Sequence, residues 1–222
     1  GKLCKSKGIL FHVDAAQSVG KLSINVDEMG IDLLSISAHK MYGPKGIGCL
    51  YVRRENPRVQ LKAIIFGGGH ERGLRSGTLP VPLIVGFGET CRICQESMID
   101  ESAKITKLRD RFLNGLNDQL DNIKVNGSLV HRLPGNLNIT FNSTNGESMI
   151  MGLTDIAFST GSACTSATIA PSYVLKAIGL SDKQAYSSVR FGIGRFNTAE
   201  EIDYTVRRIS ETVKSLRRVA KS

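Results

Sequence analysis

An α/β fold built as two domains is predicted by three features of this 222-residue sequence. Short apolar runs bounded by turn residues recur through the first part of the chain, a long helical pattern follows, and strand-like runs then alternate with helices to the end. Hydrophobic residues make up 41% of the chain, enough to build a core.

Taken in order, "GILFHV" (8–13) and "DLLSIS" (32–37) suit buried strands. The stretch "SVGKLSINVDEMGI" between them is long enough for a crossover, so these strands are expected to run parallel with helix-like connections in a mixed or parallel sheet. A third strand, "GIGCLYVRR" (46–54), follows the turn residues Gly43, Pro44 and Gly46. From Pro80 to about Leu120 the pattern is helical, with Ile105, Leu108, Phe112 and Leu116 at three- and four-residue spacing, as one long helix or a pair. Beyond it "IKVNGS", "GNLNITFNS" and "SVRFGIGRF" read as strands. A closing helix is expected from about Ala199, where Thr198 and Glu201 form a capping box and Ile202, Val206, Ile209, Val213 and Leu216 form the buried stripe. The expected domains are 1–98, the end of a larger domain, and 99–222, a smaller α+β domain.

Composition excludes several classes of function. The longest apolar stretch, "LPVPLIVGFG" (79–88), is too short to span a bilayer and contains Pro80 and Pro82, so no membrane partner is expected. The net charge of +9 is spread along the chain with few aromatics between the basic residues, which reads as solvated surface rather than a nucleic-acid face. Five cysteines, Cys4, Cys49, Cys91, Cys94 and Cys164, form an odd set that argues for a reducing compartment and against secretion. Cys91 and Cys94 have CxxC spacing, but no second pair or nearby histidine completes a zinc site. The chain opens Gly1-Lys2-Leu3-Cys4 without methionine or targeting pattern, so it is expected to be a piece of a longer protein.

The chemistry is expected at the carboxyl ends of the parallel strands, where α/β sheets open their ligand crevice. "GILFHV" runs into Asp14 and "DLLSIS" into His39 and Lys40, so neighbouring strands deliver an acid and a lysine to one edge, with Gln17 and Ser37 adding hydrogen-bonding groups. A buried lysine loses its proton readily and can condense with the aldehyde of pyridoxal phosphate, whose ring nitrogen Asp14 would pair. The same spacing also admits a plainer reading, in which Asp14 caps a helix and Lys40 ends a strand. Cys164, among the small residues Ser159 to Ala170, is open to two readings as well: inert packing, or a thiol on a loop that can move.

The strings "HVDAAQSVGK", "SISAHKMYGPKGIG", "GGGHERGLRSGT", "GSACTSATIAPSYVLKAIGL" and "SSVRFGIGRF" resemble those of cysteine desulfurases of the IscS and Nfs type. These belong to the class V aminotransferases, which have the aspartate aminotransferase-like fold type I. The likeness runs in order from about Gly8 to Val213. It implies that Lys40 holds pyridoxal 5'-phosphate covalently and later moves protons on the substrate carbon. By the same resemblance Asp14 pairs with the ring nitrogen, Gln17 bonds the ring hydroxyl, and Ser37, the Ala38 peptide and His39 bind the phosphate. Thr78 would reach the phosphate from the other subunit of a homodimer, and Arg190 would grip the substrate carboxylate. Cys164 would attack the sulfur of L-cysteine, leaving a persulfide and releasing alanine. The sulfur would pass to an iron–sulfur scaffold protein or to tRNA thiolation, and Cys164 would act as a metal ligand shared with a nascent iron–sulfur cluster.

The resemblance also implies what this sequence lacks. The family's N-terminal part supplies a threonine-containing phosphate loop, a histidine that stacks on the cofactor ring and an asparagine near its hydroxyl. His12, His70 and His131 do not fit the stacking motif. "GGGHERG" lacks the Lys-Ser/Thr of a P-loop and reads better as a dimer segment. Two other functions share most of these residues: another class V enzyme, such as a selenocysteine lyase or aminotransferase, and an inactive fragment that serves as a docking module. The expected compartment is a bacterial cytoplasm or the mitochondrial matrix.

Overall fold

The computed structural model describes residues 1–160 and 171–219. They form two compact units, Gly1–Asp100 and Glu101–Ser222. The first opens with a short helix, α1 (Lys2–Ser6), and carries three strands, β1 (His12–Asp14), β2 (Leu33–Ser37) and β3 (Gly48–Val52). Their order is β1-β2-β3, with β1 parallel and β3 antiparallel to β2, so the sheet is mixed.

Two expectations are corrected here. The first strand does not begin at Gly8. Gly8 takes a left-handed φ of 65° to turn away from α1, Ile9 and Leu10 are exposed, and pairing starts only where Asp32 reaches Phe11. Nor is the connection from β1 to β2 helical. Residues 15–31 are a chain of turns, in which Arg53 serves as the organising group. Its guanidinium donates to the carbonyls of Val26 (2.8 Å) and Ile31 (2.9 Å) and to Asp27 (2.7 Å), and Nε stands 3.3 Å from the buried Asp32 carboxylate. These bonds satisfy backbone groups that a crossover helix would have paired internally.

One helix, α2 (Val81–Gln119, 39 residues), runs from the first unit into the second. In the first unit its Phe87 and Cys94 pack with Ala38 and Met41. In the second unit Leu108, Phe112 and Leu116 enter the main core. The apolar spacing read from the sequence therefore marks the buried face, with Ile105 also buried.

The second unit holds an antiparallel sheet in the order β4 (Ile123–Val125), β5 (Asn136–Phe141) and β6 (Ser188–Gly192). Three short helices, α3 (Gly146–Gly152), α4 (Tyr173–Ala177) and α5 (Asp182–Tyr186), precede β6, and α6 (Ala199–Val219) closes the unit. Ile202, Val206, Ile209 and Val213 of α6 pack with Leu137, Ile139, Phe141, Val189 and Phe191 of the sheet. Phe112 and Phe191 meet edge-on, with ring centroids 4.9 Å apart. The α6 capping box forms as expected: Glu201 N–H donates to Thr198 Oγ1 (3.3 Å) and Thr198 N–H to Glu201 Oε2 (3.2 Å).

Candidate active site

Because β1 and β2 are parallel and adjacent, their carboxyl ends lie at the same edge of the sheet, with Asp14 level with Ser35. Asp14 ends β1 and is exposed, and its Oδ1 accepts the Ala16 N–H at 3.0 Å, which opens the run of turns that holds the exposed Gln17. Two residues past the Ser35 level, β2 ends at Ser37 and passes into a 3-10 turn, Ala38–Met41. Ala38 is fully buried and Met41 nearly so, whereas His39 and Lys40 between them are exposed. The turn is thus pinned at both ends and presents its middle two side chains outward. Ser37 Oγ and His39 Nδ1 lie 3.0 Å apart, which sets the plane of the imidazole.

The glycines after Lys40 have a steric cause. Tyr42 takes a left-handed φ of 66°, and the Gly43 N–H then returns to the Ala38 carbonyl at 2.9 Å. A Cβ on Gly43 would stand 2.7 Å from Thr90 Oγ1, and one on Gly48 would stand 2.4 Å from the Ile36 carbonyl oxygen. Gly46 has φ +89°, where other residues are strained. The chain can reverse tightly behind Lys40 only without side chains at these positions. The Lys40 turn is therefore held by backbone packing.

One neighbour that the sequence reading passes over is Lys21. It lies one helical turn's spacing beyond Gln17, and its Nζ donates to the Gln17 carbonyl (3.1 Å) and to Gln17 Oε1 (3.4 Å). Burial, and secondarily the charge of Lys40, push the Lys21 ammonium below its ordinary pKa. The signal available beforehand was the i, i+4 spacing of an amide and a cation.

Asp14, Gln17, Ser37, Ala38, His39 and Lys40 are thereby brought to one sheet edge. Thr78 is exposed at the end of a loop that folds on itself, where Ser76 N–H donates to the Ile65 carbonyl (3.2 Å) and Gly77 N–H to His70 Nδ1 (3.3 Å). Among the described residues no hydrogen bond joins Thr78 to the Lys40 group. Arg190 belongs to the second unit, exposed on β6, where its backbone pairs with Asn138 on one side and Ser159 on the other, at 2.7 and 3.1 Å for the Ser159 pair. Cys164 lies outside the described residues.

The strand ends at this edge carry an amine, a carboxylate, an amide, a hydroxyl and an imidazole, a set whose chemistry suits an anionic ring compound held covalently at the amine. The other cysteines are unlike this group. Cys91 is exposed and Cys94 buried on α2, and burial pushes the Cys49 and Cys91 thiols above their ordinary range. No helix among the described residues is long and apolar enough to cross a membrane.

The chain belongs to the aminotransferase class-V family, which matches residues 1–205 and whose members depend on pyridoxal phosphate. Among particular relatives, the cysteine desulfurase IscS of Mannheimia succiniciproducens is 61% identical over 217 residues, covering 98% of this chain and 53% of that protein. IscS of Pasteurella multocida is 60% identical over 220 residues, 99% of this chain and 54% of the relative. In structure the chain resembles a NifS-like protein from Rickettsia africae, with a TM-score of 0.85 at 29% identity over 96% of this chain and 56% of the other. The expected α/β fold of type I is therefore borne out. The chain spans about half the length of the curated relatives it matches.

Proposed function

We propose that this chain carries the lysine side of the active site of a cysteine desulfurase. The enzyme takes sulfur from L-cysteine, releases L-alanine and passes the sulfur on from Cys164. The observation that carries this reading is that Asp14 ends β1 level with Ser35 of the parallel strand β2, which ends two residues later in the Lys40 turn.

The donor set at that edge fits pyridoxal phosphate: an amine for its aldehyde, a carboxylate for its ring nitrogen, an amide for its ring hydroxyl, and Ser37, the Ala38 peptide and His39 for its phosphate. When bound, the cofactor supplies a ring that withdraws electrons from the substrate α-carbon. Asp14 keeps the ring nitrogen protonated, and the Ser37–His39 pair orients a donor toward the phosphate. Lys40 would take the α-proton of the substrate as general base. Arg190 holds the substrate carboxylate with its planar fork. The Cys164 thiolate forms a bond to the substrate sulfur as the carbon–sulfur bond breaks. That bonding pair stays with the carbon skeleton, which is then protonated to alanine, leaving a persulfide on Cys164. Thr78 completes the phosphate site of a second subunit in a homodimer. The acceptor is the scaffold of iron–sulfur cluster assembly, where Cys164 would also stand as a shared cluster ligand, and the five thiols suit a reducing compartment.

The test uses the full-length enzyme. Borohydride reduction should fix the cofactor on Lys40, and Cys164→Ala should abolish sulfur release from cysteine while leaving that label in place. Sulfur release that survives Cys164→Ala would move the assignment to another class V reaction, and failure to label Lys40 would remove the cofactor from this site.

A further inference from the structure

We propose that Lys21 is a positioning residue that fixes the orientation of the Gln17 carboxamide, so that the amide can only donate toward the cofactor's ring oxygen. The inference rests on the reading of the Lys40 edge as a pyridoxal phosphate site. The Lys21 ammonium sits 3.1 Å from the Gln17 carbonyl oxygen and 3.4 Å from Gln17 Oε1.

An ammonium group carries donors and no acceptor, whereas a carboxamide has an oxygen that accepts and a nitrogen that donates. Whichever way the amide is first placed, the atom turned to Lys21 must be the oxygen, because an NH2 group there would meet three further N–H donors. The nitrogen then faces away from Lys21 and presents its two hydrogens to whatever occupies the sheet edge. A ring oxygen that bears negative charge needs a donor. An unrestrained glutamine offers its oxygen or its nitrogen with similar ease, so half of its orientations would set two acceptors against each other. Lys21 removes that half.

Lys21 is anchored for this task. It bonds the main-chain carbonyl of Gln17 as well as the side chain, so the ammonium is tied to the residue whose amide it orients. It is half-buried, which strengthens both bonds relative to water.

The effect is read in the pH dependence of the cofactor's visible absorbance in the full-length enzyme. When the proton shared by the ring oxygen and the Lys40 nitrogen leaves, the ring oxygen relies on Gln17 alone, so losing that donor makes the proton harder to remove. Lys21→Met is expected to raise the absorbance midpoint by about 0.3 pH unit, because a twofold loss of donating orientations is that fraction of the tenfold change that makes one unit. Lys21→Arg, which keeps a donor-only cation, should restore it. In a Gln17→Ala background Lys21→Met should add no further shift. Retained far-ultraviolet circular dichroism and thermal midpoint show that the variants fold. An unchanged midpoint in Lys21→Met overturns the proposal, and so does a shift that persists in full without Gln17, since Lys21 would then act by its charge alone. A wild-type enzyme with no absorbance that Lys40→Ala abolishes would overturn the cofactor reading and this inference together, whereas a normal wild-type spectrum with an unmoved Lys21→Met midpoint sinks only the inference.

Discussion

Lys40 and Asp155 show two ways in which a single charged side chain can be placed. Lys40 is set by its backbone: buried Ala38 and Met41 flank it, and the return at Tyr42 and Gly43 leaves the chain no other course. Asp155, in the second unit, is set by its partners. Arg208 grips it with two nitrogens at 3.0 and 3.2 Å and the Tyr204 hydroxyl donates to it, and these groups hold its carboxyl well below the usual carboxylate range. A carboxylate whose folded pKa is depressed adds stability above its unfolded pKa and loses that contribution as pH falls. Asp155→Asn should therefore lower the urea midpoint at pH 6. The gap to wild type should close as pH falls through about 4 and below. A gap that is the same at both ends of the range would show that the carboxylate charge contributes nothing.

At the scale of elements, α6 forms where local and tertiary signals agree. The capping box starts the helix after Thr198, and a stripe at three- and four-residue spacing then buries Ile202, Val206, Ile209 and Val213 against the β4-β5-β6 sheet. Thr198→Ala should cost about 1 kcal/mol in equilibrium unfolding, and Thr198→Ser should recover most of it, because the serine hydroxyl accepts the same Glu201 N–H. β1 is the opposite case. Its apolar run promised six residues, yet the ladder holds three, because α1 and the left-handed turn at Gly8 consume the rest and the pairing partner begins only at Leu33. The segment 15–31 has no helix for a similar reason: Arg53, distant in sequence, supplies the bonds that hold its turns.

For the whole chain, exposure is the informative quantity. Asp14, Gln17, His39 and Lys40 are all exposed, and the first unit also shows water its large side chains Ile64 (86%) and Phe66 (83%). A phosphate-bearing ring held at such an edge is contacted from one side and remains largely hydrated on the other. The 222 residues alone should accordingly bind pyridoxal phosphate more weakly, by an order of magnitude or more, than a chain extended to the length of the relatives. Titration of the cofactor's absorbance against both chains checks this. Equal affinities would mean that the Lys40 edge is sufficient.

The sequence by itself determined the elements whose signals are local: the α2 and α6 stripes and the α6 cap, each dictated by side-chain periodicity or by a capping pattern within a few residues. It also placed Asp14 and the Lys40 turn at strand ends, because apolar runs stop where polar residues must meet solvent. Only the tertiary structure decided that β3 runs antiparallel to β2 and that Arg53 replaces a crossover helix. Those outcomes depend on bonds between residues far apart in the chain, which leave no periodic trace in the sequence.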